Sequence, residues 1–451
     1  MRRAAARALA EIRQAVRAPA AVGPPAPRGL NAAPGSNAWL AGVCAGRALA
    51  ATWFVAYAAV LPPTQAAWGL SGKEAGMVQA AYHLGYLISL FIVGFLADHF
   101  GAKRTHLASG LLAWITPLFF VLYAEGFWSA MWLHALTGLC QGGAYTPVVA
   151  ILNDNVPRER RGRAIGFFIG ASSAGYALAL GVTGLALHFT GWRGAMAAVA
   201  LMPLLAWLVS LWLLRATPNL IHPRPAGESP LAALPAVWKN RRGMLSIWGY
   251  TFHNWELLCL WAWLPAFLTA ALVAQGHGTG EAAALALGLS ALTYVANIAG
   301  SIVGGTMADR WGRTQTILLW STVSLALSLS IGWLMALPVW LLVALACLYN
   351  FAAIADSSTH STVLAEAVPP HYLGVAYAVR SVIGFGAGVA SPVLFGWALD
   401  LAGGGKTSAE PFAWGVAWTM LGCGALLGPL ASWKLQRQMR ARGGWRQKRQ
   451  S

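Results

Sequence analysis

Long apolar stretches separated by short polar ones make up most of the chain. An α-helix needs about 20 apolar residues to cross the hydrocarbon core of a bilayer, and twelve stretches of this length occur, six on each side of a polar middle segment. The short alternating segments of a β-barrel are not found. The pattern predicts an all-α integral membrane protein with twelve transmembrane helices in two pseudo-symmetric bundles of six. The predicted spans, numbered 1 to 12, are 39–61, 75–97, 105–124, 128–152, 164–190, 194–215, 244–272, 283–307, 315–335, 338–365, 373–400 and 411–433.

A charged turn interrupts the apolar pattern once in each half. Residues 94–104 read GFLADHFGAKR and residues 305–313 read GTMADRWGR, and their aspartates and second glycines recur at one constant offset. Self-similarity at a fixed spacing indicates that half of the chain is duplicated. The residues of these duplicated turns that we consider candidates for a conformational gate are Gly94, Asp98, Gly101, Lys103 and Arg104 in the first copy and Asp309, Arg310, Gly312 and Arg313 in the second.

Composition and charge exclude a soluble protein. Of the 451 residues, 57% are hydrophobic and 10% are charged, so a soluble fold would lack the polar side chains to cover its surface. The formal net charge is +17, and most of the 31 Lys and Arg residues fall in the tails and in alternate loops. This positive-inside asymmetry predicts that both termini and both turns lie in the cytoplasm, at a bacterial inner membrane. Basic residues are not interleaved with base-stacking aromatic residues, so nucleic-acid binding is not expected.

Polar segments divide the chain into five parts. The Arg-rich start is not followed by the apolar core of a secretory signal peptide, and a solvated tail touching anionic headgroups is favoured over an organelle transit peptide. The middle segment is rich in proline and contains no span. The predicted parts are a basic cytoplasmic N-terminal tail (1–37), a six-helix bundle (38–215), a cytoplasmic linker (216–243), a second six-helix bundle (244–434) and a basic cytoplasmic C-terminal tail (435–451).

The chain resembles the major facilitator superfamily (MFS) of secondary transporters in three features. These are two homologous sets of six spans, a long loop between them, and the sequence Gly-x-Leu-Ala-Asp-x-x-Gly-x-Lys-Arg after span 2. The resemblance covers residues 38–434. It implies that spans 1, 4, 7 and 10 line a central cavity, that spans 2, 5, 8 and 11 form the interface between the halves, and that the others face lipid. It also implies that Asp98 braces the cytoplasmic side against the start of span 11.

Glycine positions suggest where the backbones of neighbouring helices approach each other. They are frequent in spans 5 and 11, so tight packing is expected there. In the first turn, Gly94 and Gly101 are expected to allow close packing and a tight bend. The two basic residues that follow are expected to pair with Asp154 or Glu159 below span 4. The alternative is that the turn only fixes topology through its positive charges.

Two positions depart from the drug/proton antiporters of the same family. Those proteins have an Arg three residues before Gln-Gly in the fourth span, where this chain has Gly138. They also have Gly-Pro-x-x-Gly-Gly in the fifth span, where residues 170–175 read GASSAG. Proton-driven drug export is therefore the weaker interpretation.

Four charged side chains lie well inward from the ends of predicted spans, where each one is energetically costly. Arg47, Glu256 and Asp356 lie near the midplane on spans that the resemblance assigns to the cavity, and Arg380 lies on span 11. In the functional interpretation, an arginine binds an anionic group of the substrate or an acid carries a coupling proton. In the alternative, the two basic and two acidic groups form internal ion pairs that hold helices together.

Span 7 offers a candidate proton pathway. His253 and Glu256 are three residues apart and therefore share one helical face. A histidine beside a carboxylate suits proton coupling, although His253 alone is equally consistent with a plain hydrogen bond. The polar string 356–362 in span 10 is expected to face the cavity. His83 and His134 lack metal-ligand spacing, so both are expected in the core or at an interface.

The sequence offers no other chemistry. A phosphate-binding Gly-rich loop is missing, so ATP-driven transport is not supported. The five cysteines lie in apolar stretches as packing residues, and no cofactor or metal is expected.

The sequence predicts a transporter and not an enzyme. The predicted protein is a monomer in the lipid bilayer that moves a small solute, in the favoured interpretation an organic anion. Transport is expected to occur by proton-coupled alternating access, as a symporter or an antiporter. The alternatives are proton-driven efflux of drugs or amphiphilic compounds and, in a different class, a polytopic membrane enzyme or sensor. The candidate substrate or proton-pathway residues are Arg47, His253, Glu256, Asp356 and Arg380.

Overall fold

The computed structural model describes residues 32–221, 234–369, 372–403 and 409–447, and within these ranges the chain is helical without a strand. The predicted all-α membrane fold is confirmed. In the first half the helices are Asn37–Ala51, Ala56–Trp68, Gly72–Phe100, Ala102–Tyr123, Phe127–Gln141, Thr146–Asn155 and Arg158–Leu213. In the second half they are Leu234–Lys239, Arg241–Ala274, Thr279–Trp311, Arg313–Ser330, Val339–Ala355, Ser357–Ala367, Leu373–Leu401, Pro411–Ala425 and Leu427–Gln447.

Ten of the described helical segments are long and apolar enough to cross a membrane. One of them, Arg158–Leu213, is interrupted at Gly191, where φ is 66° and ψ is −177°, so it covers the predicted spans 5 and 6. Arg313–Ser330 covers span 9 but is not one of the ten, because its first turn is polar. The count of twelve crossings therefore remains a prediction. So do the boundaries of the tails, bundles and linker, of which residues 1–31, 222–233 and 448–451 lie outside the described ranges.

Three spans are broken near their middle. Span 1 contains a short 3₁₀ helix at Thr52–Val55, and span 4 contains another at Gly142–Ala144. Span 10 passes from one helix to the next at Asp356. Irregular backbone at membrane depth occurs where it is buried in protein or lines a cavity. The breaks therefore mark the inner faces of these three spans.

The two halves are in backbone contact at the end opposite the duplicated turns, which we name the closed end. A Cβ atom placed on Gly76 in span 2 would lie 2.2 Å from the carbonyl oxygen of Pro392 in span 11. A Cβ atom placed on Gly396 would lie 2.0 Å from the carbonyl oxygen of Gly72. Both separations are far below van der Waals contact, so a side chain cannot fit. Small residues thus bring the halves together at this end, as tight packing of membrane helices requires.

Asp400 joins the halves at the closed end through hydrogen bonds. Its Oδ1 accepts one from the backbone N–H of Gly72 at 2.7 Å, and its Oδ2 accepts one from the N–H of Lys73 at 2.8 Å. Both N–H groups belong to the first turn of span 2, where the helix dipole favours a negative charge. The carboxylate of one half therefore caps a helix of the other half.

We expect Asp400→Asn to weaken the closed end. An amide keeps one acceptor oxygen but loses the charge, and a negative charge at a helix N-terminus is worth about 0.3–1 kcal/mol. The closed arrangement should then be less populated. A cysteine introduced at Ala59, which is 2% exposed in span 1, should react faster with a maleimide when the native cysteines are absent. Glu125→Gln, at an exposed acid in the loop after span 3, is the matched control. Equal reactivity in both variants would show that Asp400 does not hold this end together.

At the end that carries the duplicated turns, which we name the turn end, the structure is more open. A groove of about 660 Å³ lies between the starts of spans 1 and 5 and is lined in part by Phe167. Gly166 and Gly170 in span 5 and Gly374 in span 11 have no atom within 4 Å of the position that a Cβ would take. The expectation of tight packing along spans 5 and 11 is therefore wrong at the turn end.

Each duplicated turn contains a glycine with positive φ, namely Gly101 at 86° and Gly312 at 100°. Residues with a side chain rarely adopt this conformation, so the predicted tight bend is confirmed. Gly94 has no atom within 4 Å of a Cβ position, so the close packing expected there is wrong. Lys103 Nζ donates a hydrogen bond to the carbonyl oxygen of Thr217 at 2.8 Å, which ties the turn to the chain after span 6.

The charged residues of the turns lie at the helix ends. Asp98 is half-buried near the end of span 2, and Asp309 and Arg310 are exposed at the end of span 8. Arg313 forms an ion pair with Glu366 at the end of span 10. This ion pair joins spans 9 and 10 within the second half. The bracing role of Asp98 remains a prediction.

We expect Gly101→Ala to destabilise the protein and Gly94→Ala to leave it unchanged or slightly more stable. The first change forces an L-residue into positive φ, at a cost of about 1–2 kcal/mol. The second adds a methyl group in open space on a helix, where alanine is favoured over glycine by about 0.5–1 kcal/mol. Thermal unfolding of the purified variants measures both effects. A similar melting temperature for the two variants would contradict the conformational assignment of Gly101.

Candidate functional site

Arg47 lies in span 1, just before its break. Its Nε donates a hydrogen bond to Ser172 Oγ at 2.8 Å, and its Nη1 donates to the carbonyl oxygen of Ala144 at 3.3 Å. The guanidinium also lies 5.3 Å from the ring centre of Tyr145 and 5.5 Å from that of Phe168, within the range of cation–π attraction. Spans 4 and 5 of the same half therefore position this half-buried cation.

Arg380 in span 11 has a matching environment in the second half. Its Nη1 donates a hydrogen bond to Ser361 Oγ at 2.8 Å, and its guanidinium lies 4.1 Å from the ring centre of Tyr250 and 4.8 Å from that of Tyr377. Its Nε is buried and has no hydrogen-bond partner within the described part of the chain. This N–H group is therefore a donor that a ligand can use.

The two arginines converge on one region between the halves. Tyr145, at the break in span 4, interacts electrostatically with Arg47, Arg380 and Tyr250. Tyr145 and Arg47 belong to the first half, whereas Tyr250 and Arg380 belong to the second. The structure thus brings together Arg47 and Arg380, two predicted site residues that are far apart in sequence. It adds Tyr145 and Tyr250, which the sequence did not single out as a pair.

An aromatic layer lies between the arginines and the closed end. Phe54, farther along span 1 than Arg47, stacks on Tyr176 with ring centres 5.3 Å apart and meets Trp261 edge-on at 6.1 Å. Tyr176 and Trp261 in turn contact Tyr294, with ring centres 5.5 and 5.9 Å away. The rings come from both halves. They therefore seal the region on the side of the closed end.

Glu256 lies inside the second half, away from the arginines. Its Oε2 accepts a hydrogen bond from Ser324 Oγ at 2.5 Å, and its Oε1 accepts one from the Tyr349 hydroxyl at 2.9 Å. The residue is 5% exposed. Burial opposes the charge on the carboxylate, whereas the two donors favour it, so both protonation states have support from the surroundings. Glu256 and His253 are near enough to interact electrostatically, but within the described ranges the hydrogen bonds of Glu256 go to Ser324 and Tyr349 and not to His253.

His253 instead contacts Asp356 on span 10. His253 Nδ1 lies 2.8 Å from Asp356 Oδ1, and His360 Nε2 lies 3.3 Å from Asp356 Oδ2. All three side chains are buried. His360 was not a predicted site residue, although its spacing of four residues from Asp356 places both on one helical face. The ion pairs proposed as an alternative between the arginines and the acids do not occur among the described residues.

The lone histidines behave as expected from the sequence. His134 is fully buried, and its Nδ1 lies 2.9 Å from the carbonyl oxygen of Val78 in span 2. His83 is 1% exposed, and its Nε2 lies 3.4 Å from Gln79 Nε2. Both side chains therefore belong to the packed interior.

The structure has membrane-length helices in two halves, and polar groups of both halves lie at helix breaks in the centre. These features are those of a polytopic membrane transport protein. The sequence profile of the Major Facilitator Superfamily matches residues 43–280, which is more than half of the chain. The chain belongs to the Major Facilitator Superfamily.

Solved structures of two transporters share this fold. A bacterial homologue of the human lysosomal transporter Spinster, solved in an inward-facing and unoccupied conformation, superposes with a TM-score of 0.69 at 17% identity, over 89% of this chain and 99% of that one. The nucleoside transporter NupG superposes with a TM-score of 0.71 at 13% identity, over 88% of this chain and 99% of that one. At these identities the likeness shows the fold alone.

Curated relatives are transporters too. A probable 4-methylmuconolactone transporter of Cupriavidus pinatubonensis is 26% identical over 74% of this chain and 78% of its own length. A probable sulfoacetate transporter, SauU of Cupriavidus necator, is 25% identical over 83% of this chain and 90% of its own length. A probable chloroplastic anion transporter of Oryza sativa is 26% identical over 46% of this chain and 41% of its own length.

Proposed function

We propose that the protein is a secondary transporter of a small organic anion, coupled to protons and working by alternating access. The observation that carries the proposal is the arginine pair, Arg47 from the first half and Arg380 from the second, converging on Tyr145. A ligand bound by both arginines links the two halves. Its binding is therefore sensitive to their relative movement, as alternating access at a central site requires.

An anionic ligand suits the charges of this region. Neither arginine is paired with a carboxylate among the described residues, and a half-buried guanidinium without a counter-ion favours an anion. The buried Nε of Arg380 is available as a donor. The relatives named for sulfoacetate and for anions support the same class of cargo.

Glu256 is the residue to which we assign the coupling proton. It is a buried carboxyl group that interacts with hydroxyl donors and forms no ion pair with an arginine or a lysine among the described residues. Its neighbours, Ser324 and Tyr349, lie on spans 9 and 10. A rearrangement of those spans relative to span 7 within the second half, accompanying the rocking of the halves, would change the donors that support its charge. Proton uptake and release can follow the conformational cycle in this way.

The proposed movement is rocking of residues 38–215 against residues 244–434. The closed end, with Asp400 and the aromatic layer, is then one gate, and the duplicated turns with Asp98 belong to the other. We place the turn end in the cytoplasm of a bacterial inner membrane on the basis of the positive-inside pattern. A monomer contains the complete central region.

Transport by purified protein in proteoliposomes tests the proposal. Radiolabelled carboxylates and sulfonates are offered with and without an imposed pH gradient, and accumulation that depends on the gradient is expected. Thermal stabilisation by the same compounds selects the candidates, because a ligand that binds the folded state raises its melting temperature. Movement of cationic amphiphiles without any anion transport would overturn the proposal. That outcome would favour drug efflux, for which the aromatic layer of Phe54, Tyr176 and Trp261 is the supporting observation.

A further inference from the structure

The cluster of His253, Asp356 and His360 is a compact set of metal-binding groups. The ligand atoms of the three residues all lie within 4.8 Å of one another. The residues are 7%, 2% and 2% exposed, respectively. His253 is on span 7 and the other two are on span 10, so the cluster joins two helices of the second half.

The charge balance of this cluster depends on its two histidines. The carboxylate of Asp356 is buried, and its described neighbours are imidazoles rather than an arginine or a lysine. An ionised carboxylate in a low-dielectric interior is costly unless a cation compensates it. In addition, Asp356 Oδ1, the oxygen nearest to His253 Nδ1, is buried without a hydrogen bond of good geometry in the described ranges. The cluster therefore has a buried carboxylate without a permanently charged partner and a buried oxygen atom without a well-placed donor.

We propose that His253, Asp356 and His360 bind a divalent transition-metal ion such as Zn²⁺. Two imidazoles and one carboxylate are ligands that such ions prefer, whereas Mg²⁺ and Ca²⁺ prefer oxygen ligands alone. With metal–ligand bonds of about 2.0–2.1 Å, tetrahedral ligand atoms are roughly 3.3 Å apart. The distances of 2.8 and 3.3 Å from the imidazoles to the carboxylate oxygens already approach this separation.

Backbone geometry at Asp356 also suits an ion. Asp356 lies where Val339–Ala355 ends and Ser357–Ala367 begins, so its side chain projects from a break in span 10. Broken membrane helices commonly place ion-binding groups near the midplane. The break gives Asp356 freedom to adjust toward an ion while His360, one turn further, stays on the same face. A bound ion would fix this break against span 7.

This site is separate from the proposed substrate region, although it lies beside it. Ser361, which accepts the hydrogen bond of Arg380, directly follows His360 in the chain. An ion at the cluster would add positive charge near Arg380. The site also departs from the expectation of no metal, because one of its ligands is on another helix and is distant in sequence.

Metal binding to purified, chelator-treated and then chelator-free protein tests the site. We expect one Zn²⁺ per protein with a raised melting temperature, and one Co²⁺ with the strong visible absorption of a four- or five-coordinate ion. His360→Gln keeps a polar side chain but removes a ligand. Its affinity should fall more than about 100-fold, beyond the 10- to 100-fold that losing a hydrogen-bond partner of a ligand costs.

A surface histidine provides the matched control. His277 Nδ1, in the loop between spans 7 and 8, lies 3.4 Å from Oε1 of Glu281 in the first turn of the next helix, so it reports adventitious metal binding. His277→Gln should retain the high-affinity ion. Asp356→Asn provides a second ligand variant if His360→Gln does not fold, as judged by its melting temperature without metal. Co²⁺ bound with only the weak absorption of a six-coordinate ion, or equal Zn²⁺ affinity in the ligand and control variants, would overturn the proposal. None of these measurements depends on transport.

Discussion

Replacing Arg47 by Gln is expected to lower the affinity for the proposed anionic substrate about 10- to 150-fold, which corresponds to the 1.5–3 kcal/mol of a charged hydrogen bond. Gln retains polarity and part of the side-chain length but carries no charge for the ligand. The variant should fold, because the partners of Arg47 are a serine hydroxyl, a backbone carbonyl and two rings rather than a buried acid. Titration of the purified protein with the transported anion measures the change.

Arg193→Gln is the control for Arg47→Gln. Arg193 also donates hydrogen bonds to backbone carbonyls, those of Val121 and Ala124, and lies 4.5 Å from the ring centre of Trp192. It is exposed at the closed end, far along the chain from the central region. Its replacement should leave anion affinity unchanged. Equal affinity of the wild type and Arg47→Gln would remove Arg47 from the binding site.

Replacing Glu256 by Gln is expected to abolish proton-driven accumulation while solute-for-solute exchange continues. The amide oxygen of Gln can accept one of the hydrogen bonds that Ser324 and Tyr349 donate to Glu256, and its NH2 group can donate to the other hydroxyl, but the side chain cannot take up or release a proton. For coupling to one proton, a gradient of one pH unit supports about tenfold accumulation, because one unit is worth about 1.4 kcal/mol. Proteoliposomes carrying the variant should lose this tenfold excess and retain exchange.

The two modes of transport separate coupling from binding. Glu281→Gln removes an exposed acid that pairs with His277 at the start of span 8, and it should alter neither mode. If Glu256→Gln lost driven accumulation and exchange equally, Glu256 would be a substrate or structural contact and the proton would be carried elsewhere.

The helical arrangement followed from the sequence because the length of an apolar stretch is dictated by the thickness of a membrane. The helix breaks were harder to predict. In span 4 the break falls at Gly142 and Gly143, where glycine weakens a helix. In span 1, by contrast, the break at Thr52–Val55 contains neither glycine nor proline. We attribute the break in span 1 to contacts with other helices. A local sequence pattern does not reveal such contacts, so it could not predict this break.

The candidate site was predicted in part for similar reasons. Arg47, Glu256, Asp356 and Arg380 stood out because charges are rare inside membrane helices. The partners of these residues did not stand out, because helical spacing relates only residues of the same helix. Helical spacing suggested Glu256 as the neighbour of His253, whereas the side chain of His253 contacts Asp356 on another helix. Ser324 and Tyr349, which bind Glu256, have no distinguishing sequence signal.

The glycines of spans 5 and 11 at the turn end have a consequence for the transport cycle. At Gly166, Gly170 and Gly374 the position of a Cβ atom has no neighbour within 4 Å in this conformation, so the helix surface is flat and open at these points. When the closed end separates, these faces are the surfaces on which the halves can meet without collision of side chains. In the proposed alternating-access cycle, the molecule would therefore use two glycine interfaces in turn. A bulky residue at Gly170 would not disturb the arrangement seen here, yet it would prevent the opposite one and hold the protein in a single state.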